Sequence, residues 1–171
     1  MSAPVVVCPL SALLHAAREH RPRQLLTLMS TDEPVATPPH VEHHVSLTFN
    51  DVADAGARER GLVPPSQEHV DAILRLAAEW DRAHPLLIHC WFGISRSPAA
   101  AIIMAAALAP ERDAADLAEA ARQVAPFATP NPRMIALADE VLERGGALID
   151  AVEAIGRGAE ASEGRPFVLY P

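Results

Sequence analysis

Pro85-Leu86-Leu87-Ile88-His89-Cys90-Trp91-Phe92-Gly93-Ile94-Ser95-Arg96-Ser97-Pro98 is the stretch that decides the fold. A short apolar run from Pro85 to His89 reads as a central strand. Ser97-Pro98 then opens an almost wholly apolar, alanine-rich helix that runs through Leu108 to a stop at Pro110. Cys90 to Arg96 is thus a strand-to-helix turn, and a buried strand feeding a helix in this way is the unit of an α/β protein. The turn gathers a thiol, a guanidinium and a row of backbone N–H groups around one point, where a phosphate dianion would fit.

The flanking sequence extends the same architecture. Val5–Val7 predicts a short buried strand, Ser11–His20 a helix with Leu13, Leu14 and Ala17 on one face, and Gln24–Met29 a second strand. His44–Phe49 is rich in strand formers and ends at Asn50-Asp51, so the loop holding Gly56 and Gly61 hangs from a strand tip. Pro64-Pro65-Ser66 starts a helix whose apolar positions Val70, Ile73, Leu74, Ala77 and Trp80 carry it to about Ala83. Downstream, Asp113 and Asp116 have capping-box spacing for a helix to Val124, and Asn131-Pro132 caps another that ends at Gly145-Gly146. A further helix is predicted from Gly146 to Ile155, with an edge strand at Phe167-Val168-Leu169 after a Gly- and Glu-rich linker. The expected fold is α/β, a single domain over residues 1–171 with a central, mostly parallel sheet of four or five strands flanked by helices.

Composition removes several function classes. The net charge is −8, and aromatic residues make up only 4% of the 171 residues, which speaks against nucleic acid and against an anionic membrane as partners. All fourteen basic residues are arginine, which excludes a Walker-type lysine, a Schiff-base lysine and a lysine general base. The two cysteines, Cys8 and Cys90, lack metal-ligand spacing and form no disulfide framework, so a reducing cytoplasm is expected. Neither a signal peptide nor an apolar run of spanning length is evident, and the alanine- and arginine-heavy composition hints at a bacterial genome rich in GC. His40, His43 and His44 cluster in sequence, but strand alternation sends His43 and His44 to opposite faces, so no metal site is expected.

A thiol at Cys90 becomes a nucleophile only as the thiolate, and three features favour that form: the helix N-terminus, the inward N–H groups and Arg96. The same features suit a phosphate, with the loop residues Trp91, Phe92, Gly93, Ile94 and Ser95 offering backbone donors and Arg96 gripping two oxygens with its planar fork. Gly93 supplies the conformational freedom such a tight loop needs. Cys8 reads as a buried core cysteine.

At this point the chain resembles the cysteine-dependent protein phosphatases, whose signature is His-Cys, five residues, Arg, then Ser or Thr, with glycine three places after the cysteine. His89, Cys90, Gly93, Arg96 and Ser97 match it. Phe49-Asn50-Asp51 resembles the acid loop of the compact, dual-specificity-like branch that also includes bacterial tyrosine phosphatases, and Pro130-Asn131 resembles its Pro-Asn element. The match covers about residues 44–144. It implies Cys90 as nucleophile, Arg96 as phosphate binder, Ser97 as helper in breakdown of the intermediate, His89 and Asn131 in support, and Asp51 as general acid, with Asp54 as the alternative. No cofactor is implied.

The substrate so implied is a phosphorylated protein, carrying phosphotyrosine and also phosphoserine or phosphothreonine, or a small phosphate monoester. The lack of positive charge from Trp91 to Ser95 argues against multiply phosphorylated inositol lipids. Two other readings stay open: a rhodanese-like sulfurtransferase, and a phosphate-binding module weak in catalysis. Nothing in the sequence sets the oligomeric state.

Overall fold

Four parallel strands converge on one edge where their carboxyl ends lie side by side, and everything about the site follows from that convergence. The computed structural model describes residues 2–171. Its strands are β1 (Val5–Pro9), β2 (Gln24–Met29), β3 (His43–Thr48), β4 (Leu86–Cys90) and β5 (Phe167–Leu169), and its α-helices are α1 (Leu13–His20), α2 (Gln67–Glu79), α3 (Arg96–Leu108), α4 (Ala114–Val124), α5 (Pro132–Val141) and α6 (Ala147–Ile155). The five-stranded sheet has the order β3-β2-β4-β1-β5. The β2/β3, β2/β4 and β1/β4 pairs are parallel, and β5 runs antiparallel to β1. The expected sheet is therefore present with five strands, including the short C-terminal edge strand.

β4 occupies the centre because it can be buried on both faces: all five of its residues are buried. Alternation along β1 sends Val5 and Val7 to one face of the sheet and Val6 and Cys8 to the other. On the second face α1 packs through Leu13, Ala16 and Ala17 against Leu25 and Leu87, with Val35 and Val41 of the loop after β2 beside it. The first face carries the large core, where α3 is buried from Arg96 to Ala106 and its alanines let sheet and helices approach closely. α2, α4, α5 and α6 cover it with Ile73, Leu117, Met134 and Leu148.

Several boundaries differ from expectation, each for a local reason. α2 stops at Glu79 rather than Ala83, because the Asp81 carboxylate accepts from the N–H groups of Ala83 and His84 and Arg82 takes a positive φ of 56°. A 3-10 turn at Leu10–Ala12 precedes α1. α5 ends at Val141, with Glu143 at φ 52°. Asp113 does cap α4, accepting from Ala115 N at 2.7 Å, without the reciprocal bond from Asp116 that a capping box requires. Ser66 instead forms that motif with His69, whose Nδ1 accepts from Ser66 N at 3.1 Å. No helix among the described residues is long and apolar enough to cross a membrane.

The order of the strands fixes the position of the site. β1 leads into α1 on the second face while its neighbour β4 leads into α3 on the first, so their outgoing chains part to opposite sides of the sheet and leave a crevice above the tip of β4. Into it come Leu10 after β1, Ser30 after β2, Phe49 to Asp51 after β3, and the Cys90 loop.

Candidate functional site

The loop from Cys90 to Arg96 is held by its carbonyls. Leu10 N–H donates to Trp91 O at 3.1 Å, Gly164 N–H to Phe92 O at 2.8 Å, Thr129 N–H to Ile94 O at 2.8 Å, and Asn131 N–H to Ser95 O at 3.3 Å. In a planar trans peptide the C=O and the following N–H point in opposite directions. Tying those four carbonyls outward therefore turns the N–H groups of Phe92, Gly93, Ser95 and Arg96 inward. Gly93 N–H shows it directly, donating to Cys90 Sγ at 3.2 Å. Gly93 is required twice over: its φ is +68°, and a Cβ there would lie 2.8 Å from Pro9 N.

Cys90 Sγ sits at the bottom of this ring, 3.1 Å from Ser97 Oγ in the first turn of α3. Arg96 enters α3 with only 4% of its surface exposed. Its Nη1 donates to Phe49 O at 2.7 Å and to Ser30 Oγ at 2.9 Å, and the guanidinium carbon lies 6.0 Å from the centre of the Phe49 ring, which stacks on His69 at 4.5 Å. These contacts consume one nitrogen. Arg96 Nε is buried and has no partner among the described residues. A buried guanidinium donor left unpaired costs free energy unless a ligand takes it, and Nε with Nη2 forms the two-pronged edge that matches two phosphate oxygens.

Asp51, in the loop just past the end of β3, reaches the Cys90 loop. Its Oδ1 accepts from Ser95 Oγ and from Asn131 Nδ2, each at 2.7 Å. Asn131 is itself fixed, since its Oδ1 caps α5 by accepting from Met134 N at 3.0 Å. Asp54 points elsewhere: both carboxylate oxygens pair with Arg60 at 2.9 and 3.0 Å, and the Arg60 hydrogen bonds hold its pKa below the ordinary carboxylate value.

His89 is fully buried behind the loop, and burial pushes its pKa down to about 4, so the ring is neutral. Its Nδ1 lies 3.2 Å from Cys90 O and its Nε2 lies 2.8 Å from Thr27 Oγ1. Trp91 and Phe92 project outward, 44% and 52% exposed, and meet edge to face at 6.4 Å, so they form a rim beside the loop. Ile94 packs against the core. Cys8 faces the α1 side of the sheet, where burial, and secondarily the neighbouring Cys90, pushes its pKa up to about 12. No group of His, Cys, Asp or Glu among the described residues has the arrangement of a metal site.

The structure thus brings Cys90, Arg96, Ser97, Asp51, Asn131 and the loop amides together and leaves Asp54 outside. Sequence reasoning did not find Ser30, the Phe49 carbonyl, Thr27, Thr129 or Gly164. Ser30 had a signal, being the first polar residue after the apolar β2 run; Gly164 lies in a featureless linker and had none.

No protein-family model matches this sequence, and neither does any curated protein. Solved structures do match. DUSP15 is similar with a TM-score of 0.60 and 17% identity, over 91% of this chain and 92% of that one. The phosphatase domain of Yvh1 from Chaetomium thermophilum is similar with a TM-score of 0.57 and 20% identity, over 83% and 92% of the two chains. The PTP-2 phosphatase of Cydia pomonella gives 0.57 and 16%, over 82% and 90%. The chain therefore has the fold of these compact phosphatases, with its Cys90 loop at the carboxyl ends of the parallel strands.

Proposed function

We propose that this protein is a phosphomonoesterase that works through a cysteinyl-phosphate intermediate on Cys90. The observation that carries this reading is a buried Arg96 Nε without a partner among the described residues, at the end of a loop whose Cys90 sulfur already accepts a backbone N–H. The loop thereby supplies both donors for oxygen anions and a nucleophile.

The sulfur attacks phosphorus in line, forming an S–P bond as the bond from phosphorus to the leaving oxygen breaks. The leaving oxygen takes a proton from Asp51. Since Asp51 Oδ1 accepts two hydrogen bonds, the transferable proton belongs on Oδ2. During transfer the three equatorial oxygens meet the inward amides and the Arg96 edge, donors that are fixed before substrate arrives. Water then attacks phosphorus and gives its proton back to Asp51, and the S–P bond breaks. Ser97 Oγ, 3.1 Å from Sγ, donates to the departing thiolate. Asp54 is unsuited to the acid role because its pairing with Arg60 favours the ionised form.

Phosphorylated protein side chains, phosphotyrosine first, or a simple phosphate monoester are the substrates this reading favours. Both cysteines are unpaired, which accords with work in a reducing compartment such as the cytoplasm. The test is hydrolysis of an aryl phosphate in the presence of a chelator, with a burst of phenolate before steady state. Cys90→Ser should abolish turnover and the burst together. Unimpaired hydrolysis by Cys90→Ser, or thiosulfate-to-cyanide sulfur transfer without phosphatase activity, would overturn the reading.

A further inference from the structure

Beside the Cys90 loop, on the α1 side of the sheet, lies an apolar cleft of about 330 Å³. Leu10, Leu13 and Leu14 line it from the start of α1, Met29 and Val35 from the end of β2 and the loop after it, and Trp91 from the Cys90 loop itself. Its volume is at the small end of the range for ligand sites, enough for one or two side chains.

The cleft borders the phosphate cradle through shared backbone. Trp91 directly follows the nucleophile, so the two Cα atoms are about 3.8 Å apart. Ser30, whose Oγ accepts from Arg96 Nη1 at 2.9 Å, stands between Met29 and Thr31, and both of these line the cleft. Leu10 N–H in turn holds Trp91 O at 3.1 Å. A chain whose phosphate rests on Arg96 therefore passes the cleft within about two residues, at about 3.3 Å per extended residue.

Exposed apolar surface is concentrated at this place. Among the described residues, six large hydrophobic side chains are exposed; Leu14 and Trp91 line the cleft, and a third, Phe92, meets Trp91 edge to face. Half of that exposed set gathered beside one loop is a patch rather than scatter, and a patch of this kind is stabilised by an apolar group that covers it. The charge along its edge is negative. Glu33 lines the cleft, Asp32 is exposed next to it, and Glu163 accepts from Ser11 Oγ at 2.7 Å, one residue from Leu10. Carboxylates so placed repel an anionic lipid surface and attract a basic peptide.

We propose that the cleft is a specificity subsite for a phosphorylated peptide, taking one leucine-like or aromatic side chain from a residue close to the phosphorylated one, with Glu33 favouring a lysine or arginine beside it. The inference deepens the function proposed above and rests on it for the phosphate. It selects a protein substrate over a bare small monoester, because a small ester would leave the cleft and its aromatic rim uncovered.

The test uses phosphotyrosyl peptides in an alanine background, with a single leucine placed in turn at each of the three positions on either side. Wild type should hydrolyse one leucine peptide with a kcat/KM about tenfold above that of the all-alanine peptide. Adding an arginine beside that leucine should raise kcat/KM several-fold over adding a glutamate. Leu14→Gln should erase most of the leucine preference and Glu33→Arg should reverse the arginine preference. Both variants should keep the wild-type kcat/KM on an aryl phosphate, since neither side chain belongs to the cradle. Binding supplies a readout without turnover. In Cys90→Ser the leucine peptide should shift the emission of Trp91 to the blue, the other tryptophan, Trp80, being buried, and adding Leu14→Gln should weaken that binding about tenfold. Equal kcat/KM for all the peptides, with no shift in emission, would overturn the subsite and leave the phosphatase reading standing. Preference for dodecyl phosphate over the leucine peptide, lost in Leu14→Gln, would overturn the peptide in favour of a lipid chain. Absence of aryl phosphate hydrolysis in the wild type would instead overturn the proposed function, with peptide binding to Cys90→Ser still deciding the subsite.

Discussion

Gly164→Ala offers a sharp test, because two physical effects give it opposite signs. Gly164 has no positive φ, so its backbone conformation does not demand glycine. On that ground alone alanine should stabilise by about 0.4–1 kcal/mol, through the lower entropy of the unfolded chain. The packing says otherwise. A Cβ at residue 164 would lie 2.7 Å from Gly93 O and 2.6 Å from Phe127 Cε2, well inside ordinary contact distance. The phenylalanine edge can yield, but Gly93 O belongs to a loop held by bonds on both sides, so the net expectation is a loss of about 1–2 kcal/mol from overpacking. In urea that corresponds to a midpoint lowered by about 0.5–1 M. Residue 164 also donates to Phe92 O at 2.8 Å, and that peptide carries the Gly93 N–H that touches the sulfur. Turnover of an aryl phosphate should therefore fall in protein that is still fully folded. A raised urea midpoint together with unchanged kcat would show that the C-terminal linker does not press on the loop, and the reasoning would be refuted.

Removing the acid should separate the two candidate aspartates: Asp51→Asn should lower kcat on a poor leaving group by about 10²–10⁴-fold, and Asp54→Asn by less than about twofold. The reverse order in steady-state kinetics would reassign the acid. Burying His89 neutral gives an acid limb to stability. The unfolded ring binds a proton near pH 6.5 and the folded ring only near pH 4, so the unfolded state holds more protons between them and stability is lost as pH falls across that interval. Its share is about 3 kcal/mol, and urea midpoints measured from pH 7 to pH 4 should decline less steeply in His89→Gln. Cys8, with its pKa near 12, should resist iodoacetamide at pH 8 in folded Cys90→Ser and react once the protein is unfolded. Rapid labelling in the folded state would contradict its burial.

The strand and helix pattern was legible wherever burial is one-sided or complete. The unbroken apolar runs of β4 and α3 announced themselves, and so did the loop between them, since cysteine, glycine, arginine and serine are all local in sequence. What binds the loop to the molecule was not legible. Leu10, Thr129 and Gly164 contribute backbone N–H groups, which carry no residue signature, and only the sheet order brings them to one place. The contact between Thr27 and His89 was hidden for the same reason, since strand register decides which polar side chains share a face. The sequence set Asp51 ahead of Asp54 without showing that Asp54 pairs with Arg60, six residues on, an ion pair seen only in three dimensions.

Because the four outward-facing loop carbonyls are secured from residues 10, 129, 131 and 164, the anion cradle cannot assemble from a fragment. During refolding, enzymatic competence should appear last, after both ends of the polypeptide have docked. Trimming the C-terminal segment from Gly164 onward should silence the protein while leaving most of its secondary structure intact.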